Sequence, residues 1–157
     1  MAGEIFSKER GAVTLTSSGS SLTNGSAGAA GTELDCTSGG NGAEDFQGQF
    51  ELIAQWATTT GIVLNTVVAE LYLVPKLDGT NLPDVDLTAG SSALPSPTFA
   101  GVFVAVKAPS TNTDMRFISA SIPFNPFKYT AYILNRSGQT ISANWTLKVV
   151  SVRAQYT

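Results

Sequence analysis

The chain contains no histidine. Histidine is the commonest general base in enzymes and a frequent zinc ligand, so its absence excludes Ser-His-Asp and Cys-His nucleophile systems together with most zinc sites. An enzyme built on this sequence would have to use carboxylates, lysine or tyrosine. The only cysteine, Cys36, allows neither an internal disulfide nor a thiolate metal cluster. We predict that Cys36 is a small packed residue near the start of a strand.

Charged residues are scarce as well. They make up 13% of the chain, and the net charge at pH 7 is -3. Binding to a nucleic-acid duplex or to an anionic membrane requires clustered lysine and arginine, whereas the basic residues here are scattered singly. We therefore predict no nucleic-acid partner and no membrane partner. The sequence also lacks a glycine-rich phosphate-binding loop, and we predict no cofactor.

Long apolar runs are missing too. The start, MAGEIFSKERGAV, lacks the run of about 7–15 apolar residues that a secretory signal needs, and no later segment approaches the roughly 18 that span a bilayer. We expect a chain without a signal peptide that is made soluble in the cytoplasm.

Apolar and polar residues alternate in two central segments, residues 45–56 and 64–75. Alternation at a period of two indicates strands with one face packed on a core. The two segments also follow each other at the spacing of a hairpin. The residues predicted to form their core face are Phe50, Leu52, Trp56, Val67, Ala69, Leu71 and Leu73.

Other parts of the sequence favour strands as well, and helix formers never recur at a spacing of 3.6 over three turns. The pattern predicts an all-β protein, an antiparallel β-sandwich or small barrel, with one domain over residues 33–157. The further strands are predicted at residues 33–36, 101–107, 114–122, 127–136 and 141–153.

Residues 1–32 differ from the rest of the chain because they are dominated by Gly, Ser, Ala and Thr. Such a segment buries little apolar surface by itself, so we predict a flexible or extended N-terminal arm. Its apolar side chains include Ile5, Phe6, Val13 and Leu15. We predict that these four anchor the arm on a neighbouring subunit, while a tail without a role is the alternative.

Three residues on the outward faces of predicted strands are further interface candidates: Glu70, Tyr72 and Tyr132. Exposed tyrosine rings on a neutral sandwich suit either a subunit interface or stacking on a carbohydrate, and the sequence leaves both open. Glu70 could also approach Glu51 as a pair of hydrolytic carboxylates, although solvated acids are the alternative. We predict no catalytic residue and no enzymatic activity.

Residues 77–97 have turn dipeptides and no sustained period, which indicates a long ordered loop. Loops of this length are often contact elements, so we place it at a subunit boundary. Asp78, Asp84 and Asp86 could supply oxygen ligands to calcium, but their spacing matches no EF-hand, and no metal site is predicted.

The overall pattern resembles the small β-sandwich virion proteins of tailed bacteriophages, especially decoration or cement proteins. The resemblance is carried by the start MAGEIFSKERGAVTLT, the Ser/Gly/Ala-rich arm, the strands FQGQFELIAQW and VVAELYLVPKLDGTN, and the end WTLKVVSVRAQYT. It implies a jelly-roll-like sandwich on an icosahedral capsid.

The resemblance further implies a non-enzymatic virion protein whose partners are the major capsid protein or another virion protein. It also implies a homo-oligomer, either a trimer or a dimer, whose N-terminal arm grips neighbouring subunits. A carbohydrate- or receptor-binding module of a phage tail or fibre is the alternative function.

Overall fold

The chain folds into β-strands without a helix over the residues that the computed structural model describes, 5–80 and 99–156. Side chains are described for residues 7–80 and 99–153. The strands are β1 (Ile5–Glu9), β2 (Val13–Gly19), β3 (Ala27–Ala29), β4 (Leu34–Asp35), β5 (Asp45–Ala54), β6 (Val67–Lys76), β7 (Phe99–Val104), β8 (Met115–Ile118), β9 (Ile122–Pro123), β10 (Lys128–Asn135) and β11 (Trp145–Tyr156).

These strands form two antiparallel sheets that pack face to face. In the first sheet the order is β1-β11-β5-β8, with β2 also paired to β11 and β9 also paired to β5. In the second sheet the order is β3-β10-β6-β7, with β4 also paired to β10. The prediction of an all-β antiparallel sandwich is therefore confirmed.

Between the sheets lies one main hydrophobic core. Phe50 and Leu52 of the first sheet are fully buried there, as are Trp56 just after β5 and Ala69 and Leu71 of the second sheet. The predicted inward faces of both central segments are thus correct, with one local exception. Val67 is half-buried and its neighbour Val68 is fully buried in the core, because a register shift interrupts the pairing of β6 with β7 at this point.

The predicted hairpin between the two central strands is wrong. β5 pairs with β11, β8 and β9, whereas β6 pairs with β10 and β7, so the connection at residues 55–66 crosses from one sheet to the other. Alternation fixes which side of a strand is apolar but not which neighbour completes its hydrogen bonds. The predicted strand at 114–122 is also divided, into β8 and β9.

The N-terminal segment forms edge strands of both sheets. β1 and β2 run antiparallel to the whole of β11, with Glu9 opposite Val152 and Val13 opposite Val149. β3 pairs with β10. The described part of the predicted arm is therefore integrated in the sandwich, and no break in the fold coincides with the proposed boundary at residue 32.

Candidate functional site

The four predicted arm anchors do not share one environment. The side chains of Ile5 and Phe6 lie outside the described residues, although the backbone of both pairs with β11. Leu15 is fully buried in the core of its own sandwich, and Val13 packs against the same core. The prediction that Leu15 contacts a neighbouring subunit is therefore wrong for this fold, because β2 turns it into the inter-sheet space. Val13 is half-buried, and its contact with a neighbour stays a prediction.

A buried ion pair ties the end of β1 to the turn before β5. The Arg10 Nε donates to Asp45 Oδ1 at 3.2 Å, and its other nitrogens donate to the carbonyl oxygens of Asn41 at 2.5 Å and Ala43 at 2.8 Å. The Asp45 side chain is fully buried, and its second oxygen accepts a hydrogen bond from the Ser151 hydroxyl. Both charges are thus satisfied inside the protein, as buried charges must be.

Charged groups are concentrated at this end of the sandwich. Glu33 pairs with Lys76, and Asp35 pairs with Lys128 at 3.5 Å. Close by, burial raises the pKa of the Cys36 thiol to about 12, with smaller contributions from the carboxylates of Asp45 and Asp35. We call this region the charged end.

At the opposite end, four connections meet, and we call this region the loop end. It consists of residues 20–26, 55–66, 105–114 and 136–144. Backbone bonds join these connections, with Asn112 donating to Trp56 at 2.8 Å and Leu22 bridged to Ile141. Only three of these residues are charged: Lys107, Asp114 and Arg136.

A neutral network holds the loop end together. The Trp56 indole donates to the Ser137 hydroxyl at 3.0 Å, and that hydroxyl donates to Asn135 Oδ1 at 2.7 Å. The Asn135 amide nitrogen then donates to the carbonyl oxygens of Leu22 at 2.8 Å and Gln139 at 2.7 Å. Within the described part of the chain, no buried side-chain nitrogen or oxygen lacks a partner. Such a fully satisfied network makes the loop end rigid.

Three aliphatic side chains protrude from this rigid frame. Val63 is 59% exposed, Leu64 is 48% exposed and Val106 is 79% exposed. Hydrogen bonds between Asn65 and Ala105 at 2.8 Å, and between Ala105 and Thr66 at 3.0 Å, hold their two loops side by side. An exposed apolar group on a surface with few charges is suited to contact with another protein. Sequence reasoning missed these residues, although the run Ile62-Val63-Leu64 in a connection was a visible signal.

The remaining predicted interface residues, Glu70, Tyr72 and Tyr132, do lie together on the outer face of the second sheet. Tyr72 is directly opposite Tyr132 in the pairing of β6 with β10. The Tyr72 hydroxyl donates to Glu70 Oε2 at 2.7 Å, and Arg136 Nε pairs with Glu70 Oε1 at 3.0 Å. Burial, followed by the hydrogen bond to Glu70, raises the pKa of Tyr72 to about 12.

The predicted exposure of the two tyrosines is wrong. Each is only 7% exposed, because they form a second hydrophobic cluster with Val74 and Leu134 on this outer face. Phe99 also packs edge-on against Tyr72, with the ring centroids 5.6 Å apart. Their faces are not available for stacking on a carbohydrate, so the predicted glycan site at these rings is not supported.

The carboxylates of Glu51 and Glu70 do not form a pair. Glu51 lies on β5 of the first sheet and Glu70 on β6 of the second, and each alternates with residues that point into the shared core. They therefore project from opposite outer faces of the sandwich. Each has its own cation instead, Arg116 at 2.8 Å for Glu51 and Arg136 for Glu70.

The predicted contact loop and the calcium alternative fall largely outside the described residues. Residues 81–97, including Asp84 and Asp86, lie there, whereas Asp78 Oδ1 accepts a turn hydrogen bond from the Thr80 amide at 2.8 Å. Among the residues that are described, no group of three or more acidic, cysteine or histidine side chains could hold a metal ion. No helix in the same part of the chain is long and apolar enough to cross a membrane.

Comparison with known proteins gives no relative. No protein-family model matches the chain, and no curated protein and no solved structure is significantly similar to it.

Proposed function

We propose that this chain is a non-enzymatic structural protein of a bacteriophage virion, which decorates and stabilises the capsid. The loop end docks on the capsid shell, and the first residues of the chain grip a neighbouring subunit. The protein acts as a homo-oligomer, a trimer or a dimer, with the major capsid protein or another virion protein as its partner. The single observation that carries this proposal is the rigid, nearly uncharged loop end with its exposed aliphatic side chains.

The strand order supports the choice of protein class. Three pairs of strands, β1 with β2, β3 with β4 and β8 with β9, each occupy one place in their sheet. When each pair is counted as one strand, the described strands form two sheets of four. Along the chain, the strands counted in this way lie in alternate sheets, except that β6 is followed by β7 in the same sheet, an order compatible with the proposed jelly roll of two Greek keys. Viral capsid proteins are among the proteins that use this architecture. Because one fold hosts many functions, the strand order alone does not carry the argument.

The loop end supports the mode of attachment. An interface that buries few charges avoids the desolvation penalty of taking ions out of water. Val63, Leu64 and Val106 supply apolar area, and the network around Asn135 holds their loops in place before binding. Preformed loops lose little conformational entropy when they bind. On a capsid the same contact recurs at many equivalent positions, so a modest contact area per subunit is sufficient when subunits are linked.

The N-terminal edge strands support the grip. Edge strands expose backbone groups that can pair with another chain, and a terminal strand can exchange between identical subunits at low cost. β1 occupies such an edge, next to β11 alone in the pairing of its sheet. Twelve extended residues span about 40 Å, which is enough to reach an adjacent subunit.

The experiment that tests the proposal begins with particles purified from the organism that encodes the chain. Mass spectrometry of particles banded on a density gradient should find the chain in a fixed ratio to the major capsid protein. Purified chain added to particles from a strain lacking the gene should then sediment with them. A chain absent from the particles, or one that fails to sediment with the deficient particles, would contradict the proposal.

Two variants separate the two contacts in this sedimentation assay. The triple variant Val63→Ser, Leu64→Ser, Val106→Ser should lose binding to the deficient particles, because it removes the apolar docking group. Deletion of residues 2–12 combined with Asp45→Asn should leave docking intact and lower the occupancy reached at saturation, because it removes the grip, leaves no buried charge without a cation and keeps Leu15 in the core. Equal binding by both variants and the unaltered chain would exclude this arrangement.

A further inference from the structure

The N-terminal segment is attached to the sandwich in two different ways. β2 is fixed by side chains, because Leu15 is fully buried and Gly19 lies directly against the Trp145 ring. A Cβ atom at Gly19 would come within 2.0 Å of Trp145 Cε2, which shows how closely the two strands approach. The Trp145 indole also donates to the carbonyl oxygen of Ser20 at 2.7 Å.

β1 has a different attachment. Its described side chains, those of Ser7, Lys8 and Glu9, are exposed, and its backbone pairs only with the last residues of β11. The first described side chain along the chain that enters the protein is Arg10. Residues 11 and 12 between the two strands are exposed, and a Cβ atom at Gly11 would meet nothing within 4 Å.

We propose that Arg10 is a latch that holds residues 5–12 in the sandwich and that its release frees these residues while β2 remains in place. The latch consists of the Arg10 guanidinium, the buried Asp45 carboxylate and the carbonyl oxygens of Asn41 and Ala43. Two of the partners of Arg10, the carbonyl oxygens of Asn41 and Ala43, belong to the turn before β5, and the third, Asp45, is the first residue of β5. Movement of that turn together with the start of β5 therefore breaks all three side-chain contacts of the latch.

The burial of Leu15 in β2 limits the released segment to residues that precede β2. Leaving Leu15 out of the core would expose a large apolar side chain and open a cavity between the sheets, which opposes release of β2. Among the described contacts of residues 5–12, release requires loss of the edge hydrogen bonds, which water replaces, and of the contacts of Arg10. The use of this release for gripping a neighbour rests on the function proposed above, whereas the release itself is a property of the isolated chain.

Hydrogen exchange of the isolated full-length chain, followed by mass spectrometry, tests the latch. Arg10→Met keeps the apolar stem and removes the charge and the hydrogen bonds, so the amides of residues 5–9 should exchange about tenfold faster or more. The amides of residues 13–19 should change by less than about twofold, because Leu15 and Trp145 still hold β2. Lys8→Met, which removes an exposed charge from the same strand, should alter neither group.

A second variant covers the case in which Arg10→Met unfolds the chain because it leaves Asp45 buried without a cation. In Arg10→Met with Asp45→Asn the buried charge is removed as well, and the same faster exchange of residues 5–9 is expected. Unchanged exchange of residues 5–9 in this double variant, or equally faster exchange over residues 5–19, would overturn the latch. Neither result depends on particles, so failure of the latch and failure of the virion function are distinguishable.

Discussion

The two ends of the sandwich are held together by different chemistry. At the charged end, ion pairs join Arg10 to Asp45, Lys76 to Glu33 and Lys128 to Asp35. At the loop end, hydrogen bonds among neutral amide, hydroxyl and indole groups around Asn135 hold the connections together. Salt bridges between long, flexible side chains can persist when the backbone moves. A buried neutral network whose hydrogen bonds are all satisfied holds its residues in a single conformation.

In the proposed function, the rigid loop end is the docking surface, and the charged end releases the N-terminal strand β1. The loop end presents Val63, Leu64 and Val106 on connections that the buried network holds in place. The charged end places the latch next to the first strand of the chain. We expect substitutions at the two ends to separate these roles, and the effects on the free energy of unfolding to differ in size.

The largest expected effect comes from the centre of the neutral network. Asn135→Ala removes one hydrogen bond from each of the Leu22 and Gln139 carbonyl oxygens and from the Ser137 hydroxyl, and it leaves the buried Ser137 amide without its acceptor. A lost hydrogen bond costs about 0.5–1.5 kcal/mol and a buried unsatisfied group about 1–3 kcal/mol, so the free energy of unfolding should fall by about 3 kcal/mol or more. Urea denaturation measures this change. The exposed Asn125→Ala serves as the control, with an expected change within about 0.5 kcal/mol.

The next effect concerns the fixed part of the N-terminal segment. Gly19→Ala places a methyl group against the Trp145 ring, where no space exists, and overpacking of this kind costs about 1–3 kcal/mol. Gly11→Ala is the matched control, because its methyl group would enter open space beside the latch. A scan of thermal midpoints should show a clear decrease for Gly19→Ala alone. Similar midpoints for the two variants would argue against β2 as the fixed part.

A smaller effect on the free energy of unfolding should appear at alkaline pH, and it concerns Cys36 at the charged end. The pKa of Cys36 is raised from 9.0 to about 12, so the folded state holds the thiol proton more tightly than the unfolded state does. The resulting stability is fully present below pH 9 and is lost as the pH rises toward about 12. Cys36→Ala should make the decrease of the unfolding free energy over this pH range shallower. Identical pH profiles for both proteins would show that Cys36 titrates normally.

The smallest effect on stability is expected from the docking group. Val106→Ser changes a side chain that is almost entirely solvent-exposed, so the unfolding free energy should stay within about 0.5 kcal/mol of the unaltered chain. Urea denaturation again gives the comparison, with Thr113→Ser as an exposed control on the same connection. A loss of more than about 1 kcal/mol would indicate that Val106 supports the fold of the loop end rather than a contact.

The sequence predicted the parts of the fold that depend on local pattern. Alternation around Phe50 and Leu71 gave the correct inward faces, because a strand places every second side chain on the same side. β2 was missed because Val13 and Leu15 are its only two apolar side chains, among threonines and serines, and its pairing with β11 spans most of the chain. Local composition carries no information about such a distant partner.

The candidate sites were also hard to predict, because the residues that form them are far apart in the sequence. Arg10 and Asp45 are 35 residues apart, and nothing local marks them as a pair. Tyr72 and Tyr132 were each correctly assigned to the outward face of their own strand, but alternation cannot show that a second hydrophobic cluster covers these faces. The connections that carry Val63 and Val106 are joined by a backbone hydrogen bond between Asn65 and Ala105, which the sequence does not reveal.

The most direct test of the contrast between the two ends is a hydrogen-exchange footprint of the chain on particles compared with the free chain. If the loop end docks, amides in residues 55–66 and 105–114 should gain protection on the particle, whereas residues 33–45 and 124–128 at the charged end should not. Protection confined to residues 33–45 and 124–128, with unchanged exchange in 55–66 and 105–114, would contradict the assignment of the docking surface.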